Sequence, residues 1–346
     1  MKVLLLTGLG ALFFSYYWDD NFDPAGLQGA RVLLTGASAG IGEELAYLYA
    51  RLGAHLVLTA HTEALLQKVV GNCRKLGAPK VFFIAADMAS PEVPERVVRF
   101  ALDKLGGLDY LVLNHLGTPA GTRSRSVQAT RWLLQVPRPT APSAPSFLSP
   151  GSTLPPPQSP PQVRPLPGPA QRLKAPPLPG PECLRDAVTR SRHLQVNFLS
   201  YVQLTSLALP SLTDSKGSLV VVSSLLGHVP TSFSSPYSAA KFALDGFFGS
   251  LRRELDVQDV NVAITMCVLG LRDRASTAEG VRGVTRAKAA PGPKAALAVI
   301  RGGATRAPGV FYPWRFHLLC LLRGWLPHPR AWFIRQELNV TAAEAA

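Results

Sequence analysis

Charged side chains are scarce in this sequence of 346 residues, where Asp, Glu, Lys and Arg make up 17%, against about a quarter in an ordinary globular domain. Acidic residues are the rarer half, 22 against 36 lysines and arginines, which leaves a net charge of +14. A surplus of that sign suits nucleic acid or an anionic membrane surface. The sequence nevertheless lacks the footprint of a nucleic-acid binder, having no dense basic run and no aromatics interleaved with one. Cysteine is also rare. The four, Cys73, Cys183, Cys267 and Cys320, lie far apart and no two stand in CxxC spacing, which excludes the common zinc and redox motifs. Cys267 sits in an apolar run and reads as a buried free thiol.

Apolar residues and prolines are plentiful. Hydrophobic content of 47% is ample for one well-buried core. More than half of the 31 prolines fall between about Gly117 and Pro181. That composition cannot pack a core, so the stretch is expected to be extended or disordered. It holds PxxP spacings, for example Pro139 to Pro142, which an aromatic groove would accept. No basic residue flanks them in the usual manner, and a linker is the favoured reading.

Val3 to Trp18 is almost uninterruptedly apolar, with Lys2 before it and Asp19, Asp20 and Asp23 after. The run is short for a full span and close to a signal-sequence core. No small-x-small cleavage site follows, so an uncleaved anchor is expected, with a cleaved signal as the alternative. The lone lysine leans towards a lumenal domain, and Asn339-Val340-Thr341 is then a glycosylation acceptor.

From Arg31 onward, short β-branched runs alternate with helical patterns. Strands are expected at Val32–Thr35, His55–Thr59, Val81–Ala85, Asp109–Leu113, Ser218–Val222, Val260–Cys267 and Gly309–Tyr312. Helices are expected at Gly42–Leu52, Leu65–Leu76, Glu92–Leu105, Leu194–Leu209 and Ser238–Leu255, with Gly270–Gly292 a loop holding a short helix. Such alternation means βαβ units and a buried parallel sheet. The tail from Trp314 to Ile334 mixes Phe, Leu and Trp with arginines, as a segment that touches a membrane or a partner subunit does.

The first strand runs into Thr35-Gly36-Ala37-Ser38-Ala39-Gly40-Ile41-Gly42 and then a helix. A pyrophosphate binds such a turn through backbone N–H groups and the positive end of the helix, where a side chain would block its approach. Asp87, with Met88 beside it, follows the third strand and is placed to accept from an adenine amino group. Asn114-His115-Leu116-Gly117 follows the fourth, at the floor of a nucleotide site. Tyr237 and Lys241 are four apart near the start of a helix and share a face. Ser224 ends the preceding strand. A free phenol titrates far above neutral pH; a neighbouring ammonium and a positive nicotinamide ring favour its phenolate. Ser224 is then placed to hold a substrate oxygen beside it.

These motifs, in this order, resemble the classical short-chain dehydrogenase/reductase family over about 27–310, the proline-rich stretch apart. Val196-Asn197-Phe198-Leu199-Ser200-Tyr201, Tyr237 to Phe248 and Cys267-Val268-Leu269-Gly270-Leu271 are similar to its 11-beta-hydroxysteroid dehydrogenase group. The resemblance implies a Rossmann-like, doubly wound parallel sheet in a single α/β domain. Its segments are then a signal or anchor at 1–18, a dinucleotide-binding half at 27–117 and a disordered insert at 118–182. A catalytic half at 183–312 and a tail at 313–346 complete it.

The implied activity is an oxidoreductase on CH–OH groups, interconverting a secondary alcohol and a ketone, with a hydroxysteroid as substrate. Tyr237 would be the acid/base, Lys241 would favour its phenolate and bind the nicotinamide ribose, and Ser224 would orient the substrate. Asn197 would hold a water in a proton relay. Gly36, Ser38, Ala39, Gly40, Ile41, Gly42, His61, Asp87, Met88, Asn114, His115 and Leu116 would line the cofactor, which Arg272 and Ser276 would cover. NADP(H) is favoured, with NAD(H) as the alternative, because Ala39 and His61 stand where a lysine and an arginine are expected. A homodimer is implied too. The rival reading is a catalytically weak or inactive, membrane-anchored binding protein whose proline-rich insert recruits partners.

Overall fold

Strands covered on both faces read as near-continuous apolar runs, and among the described residues seven strands form one sheet. The computed structural model describes residues 22–116, 192–229, 235–270 and 292–321. The strands are β1 (Arg31–Thr35), β2 (His55–Ala60), β3 (Val81–Ala85), β4 (Tyr110–Leu113), β5 (Ser218–Ser224), β6 (Ala263–Leu269) and β7 (Gly309–Tyr312). All pair in parallel, in the order β3-β2-β1-β4-β5-β6-β7. The strand order reverses between β1 and β4, and in open α/β sheets the ligand crevice lies at that point, past the carboxyl ends.

The helices are α1 (Gly40–Arg51), α2 (Glu63–Lys75), α3 (Val93–Leu105), α4 (Ser200–Asp214), α5 (Ser235–Val257), α6 (Gly292–Ala304) and α7 (Arg315–Leu321). Period-two alternation divides the strand residues between two cores. Val32, Leu34, Leu56, Leu58, Val220 and Val222 face one, with α1, α2 and α6 over them. Leu33, Val57, Leu111, Leu219 and Val221 face the other, under α3, α4 and α5. Each such side chain taken fully out of water contributes about 1.5–3 kcal/mol. At the opposite, amino-terminal edge, the Arg31 guanidinium donates from both Nε and Nη2 to the Asp109 carboxylate, at 2.9 and 2.7 Å, tying the start of β1 to that of β4. Cys73 and Cys267 are buried free thiols, and burial raises both above the ordinary thiol range.

Three expectations need correction. The strand expected from Val260 begins at Ala263, because Val260 N–H donates back to Leu255 O and closes the helix end. The helix expected to stop at Leu209 continues through Pro210 to Asp214, its last turn held by Leu212 buried against the second core. Helix α6 was unexpected. It carries Gly302 and Gly303, and a Cβ on either would meet Val310 Cγ2 at 2.2 Å or Val220 Cγ2 at 2.6 Å. The glycines let this helix lie close on the sheet. The apolar amino-terminal run, the proline-rich stretch, the loop after Gly270 and most of the tail lie outside the described residues. No helix among the described residues is long and apolar enough to cross a membrane.

Candidate active site

The turn after β1 is shaped by contacts only glycine permits. Gly36 and Gly40 have φ of 66° and 59°, the left-handed region glycine favours. A Cβ on Gly36 would lie 2.6 Å from His115 Cα, and one on Gly42 only 1.9 Å from the Gly36 carbonyl oxygen. Asn114 Nδ2 donates to that oxygen at 3.2 Å, which fastens the turn to the end of β4. Ala39 is the extended N-cap residue of α1 and caps no N–H with its side chain, so the first N–H groups of the helix stay available to an anion. Ile41 is buried in the first core, and its side chain serves packing. Ser38 is half-buried beside the turn.

His115 sits behind that turn. Its Nε2 lies 2.7 Å from Ser200 Oγ and its Nδ1 2.8 Å from Thr35 Oγ1. Ser200 donates its only proton to Val196 O at 2.8 Å, so Nε2 carries the proton and donates to Ser200. Thr35 Oγ1 accepts from the N–H groups of Asn114 and His115, and its one proton lies between Nδ1 at 2.8 Å and Val112 O at 3.3 Å. Burial, and then the nearby charge of Lys241, push the imidazole down to about 3. It stays neutral. Tyr201 Oη donates to His115 O at 2.6 Å. Met88 is buried in the second core and Leu116 is half-buried.

Lys241 is fully buried, an expensive position for an ammonium. Its Nζ donates to Val222 O at 3.4 Å and to Tyr201 Oη at 3.5 Å, and lies 4.8 Å from the centre of the Tyr201 ring. The Tyr237 ring centre is 5.9 Å away, one turn earlier on α5. The turn after β5 presses on this point of α5, since a Cβ on Gly227 would lie 2.9 Å from Lys241 O. That contact brings buried Ser224, whose Oγ accepts from Leu226 N–H at 3.3 Å, to the same end of the helix as Tyr237 and Lys241. Asn197 is fully buried in a π turn, Gln195–Leu199, and its Nδ2 donates to His193 O at 3.0 Å. A π turn is a one-residue expansion of a helix, common at functional positions; the sequence pattern implies unbroken helix there.

Asp87, after β3, accepts from Ala89 N–H through Oδ1 at 3.0 Å. Its Oδ2 meets Arg192 Nη2 at 2.8 Å and His61 Nε2 at 4.0 Å. Asp87, His61, the glycine turn, Asn114 with His115, and Ser224 therefore follow the ends of β3, β2, β1, β4 and β5 in spatial order. Four inter-strand gaps make this row about 19 Å long, the reach of an extended dinucleotide. Arg272 and Ser276 lie outside the described residues. Sequence reasoning missed Tyr201, Thr35, Ser200 and Arg192. The first three become visible only once β1, β4 and α4 are packed, and Arg192 stands in no motif. A separate polar cleft of about 430 Å³ lies at the opposite edge, by Ala30, Asp109, Ser218 and Arg306. Among the described residues no cluster of His, Cys, Asp and Glu is placed to hold a metal.

The family model for short chain dehydrogenases matches residues 30–133 and 182–277, and its break coincides with the proline-rich stretch. The chain is 75% identical to the hydroxysteroid 11-beta-dehydrogenase 1-like protein of Macaca fascicularis and 73% identical to that of Bos taurus, over the full length of each chain. A solved short chain dehydrogenase from Burkholderia cenocepacia, in complex with NADP, covers 82% of this chain and 96% of its own. It matches with a TM-score of 0.55 at 23% identity, a likeness of fold.

Proposed function

Because this chain belongs to the short chain dehydrogenase family, we propose that it interconverts a secondary alcohol and a ketone, with NADP(H) as hydride carrier and a hydroxysteroid as substrate. The observation that carries this reading is the buried Lys241 ammonium, 5.9 Å from the Tyr237 ring, with the Ser224 turn pressed on the same helix. The glycine turn and the row of strand ends fit an extended dinucleotide in shape and length. NADP(H) agrees with His61 after β2, where an acidic residue would bind the free ribose 2′-hydroxyl of NAD(H). NAD(H) is the alternative, since neither Ala39 nor His61 carries a fixed positive charge. The hydroxysteroid rests on the names of the 75% and 73% identical relatives.

The bound cofactor supplies the hydride acceptor or donor at the carbinol carbon. Tyr237 Oη takes the hydroxyl proton in oxidation and returns one to the carbonyl oxygen in reduction. The Lys241 ammonium lies one helical turn from Tyr237, 5.9 Å from its ring centre, and would hold the nicotinamide ribose. Ser224 Oγ holds the substrate oxygen in line by hydrogen bond. Asn197 secures the π turn against His193 O, beside the start of α4. We also propose a homodimer at the endoplasmic reticulum membrane, held by residues 1–18 with the domain on the lumenal side. Glycosylation at Asn339 tests that orientation.

The test titrates the full chain with NADPH and NADH by cofactor fluorescence, then assays a panel of hydroxysteroids and ketosteroids. Tyr237→Phe should keep cofactor binding and lower turnover at least about a hundredfold, the scale of general acid–base catalysis. Unchanged turnover in that variant, or no saturable binding of either nucleotide by the wild type, overturns the reading.

A further inference from the structure

Three elements converge at the outer end of the row. His61 follows β2, Asp87 follows β3, and Arg192 opens the helical segment that leads through the π turn into α4. All meet on one carboxylate oxygen, Asp87 Oδ2, with Arg192 Nη2 at 2.8 Å and His61 Nε2 at 4.0 Å. The other oxygen is held by Ala89 N–H. This end of a doubly wound sheet receives the adenosine half of a dinucleotide, because the glycine turn on β1 takes the pyrophosphate. A lone carboxylate there repels a 2′-phosphate. A cation beside it reverses that preference, and the two positions where the family pattern expects one hold Ala39 and His61.

We propose that Arg192 is the cation that receives the 2′-phosphate of NADP(H), exchanging its ion pair with Asp87 for the phosphate. The proposal rests on the cofactor reading above. The exchange is cheap, because the Arg192–Asp87 pair is solvent-exposed, and such pairs hold weakly. It is favourable, because a guanidinium meets phosphate oxygens with two charge-assisted hydrogen bonds. The same movement frees Asp87 Oδ2 to accept from the adenine amino group, so one side chain makes both contacts available. His61, 4.0 Å from the same Asp87 oxygen, would add a second hydrogen-bond donor beside it. The preference thus comes from the carboxyl-side flank of the proline-rich stretch and not from the glycine turn.

The experiment measures dissociation constants of NADPH and NADH for the full-length wild type, Arg192→Gln and Arg192→Lys, with displacement by 2′,5′-ADP and by ADP. Binding is read by fluorescence, without turnover. The wild type should bind NADPH more tightly than NADH. Arg192→Gln should weaken NADPH and 2′,5′-ADP about tenfold and leave NADH and ADP within about twofold, while Arg192→Lys keeps most of the preference. Added salt should weaken NADPH binding more in the wild type than in Arg192→Gln. If Arg192→Gln keeps the wild-type preference for NADPH, the Arg192 assignment falls and the cofactor reading stands. Equal tightening of both nucleotides would mean that Arg192 only covers the adenine subsite, and also overturns it. A wild type that binds neither nucleotide, or both alike, overturns this proposal together with the NADP(H) reading.

Discussion

Tyr201 donates its phenolic proton to the backbone carbonyl of His115 at 2.6 Å, so the start of α4 is joined to the end of β4 across the whole stretch 117–191. Ser200 makes the same junction through the imidazole of His115. The two ends of that stretch are therefore stitched by contacts that do not include it.

Replacing residues 118–181 with a flexible link of about a dozen residues should leave the fold intact. Arg192 lies eight residues before Ser200, about 12 Å of helix rise, well within such a link's reach. The loop between Leu116 and Arg192 then shortens by somewhat under two halvings of length, which favours the folded state by about 1 kcal/mol. Thermal unfolding should show one transition at an equal or higher temperature. A lost or broadened transition would make the stretch part of the folding unit.

His115 makes stability depend on pH. Its folded value is pushed down to about 3, and unfolded it titrates near its ordinary 6.5. The contribution is therefore fully present above pH 6.5 and is lost as the pH falls towards 3, at up to about 1.4 kcal/mol per unit. Denaturant midpoints at pH 7.5, 6 and 5 should show a loss of about 2 kcal/mol by pH 5. His115→Gln should flatten that slope; an equally steep one would place the titrating group elsewhere.

Gly42→Ala puts a methyl group 1.9 Å from the Gly36 carbonyl oxygen and 2.6 Å from Asn114 Nδ2. Backbone on one side cannot yield as a side chain end can, so the turn must open at a cost of about 1–3 kcal/mol. Nucleotide binding should weaken far more than the melting temperature falls. Gly71, whose Cβ meets nothing within 4 Å, is the control, and Gly71→Ala should be neutral or stabilising.

Lys241→Met separates function from stability. The ammonium is fully buried, and its desolvation opposes folding. A methionine of similar length should leave stability equal or raise it by up to about 2 kcal/mol, while turnover is lost. A marked fall in the unfolding midpoint would mean that the cation holds the fold together.

Strands were legible in the sequence because both faces of this sheet are covered. Val32 to Leu34 and Leu219 to Val222 are continuous apolar runs, and turns bound them. The glycine turn and Ser224 were legible at strand ends, and Tyr237 with Lys241 through their four-residue spacing on one helix. Helix α6 was not, because Gly-Pro at its start and Gly302-Gly303 near its end read as loop. Those glycines answer to Val310 and Val220, partners that no local pattern reveals. Nor did the pattern disclose the π turn at Asn197 or the Tyr201–His115 bond, which depend on how α4 meets β4. Arg192 acquires its meaning only when the ends of β2 and β3 come beside it.

Leu116 and Arg192, which flank residues 117–191 in the sequence, both border the row of strand ends and not the interior. New sequence arriving between them is judged by what it does to a bound molecule, and hardly at all by whether the protein survives. Such a junction is a tolerant site for evolutionary tinkering. Lengthened or shortened variants of one gene product can differ in what they bind while sharing the same architecture and the same resistance to heat.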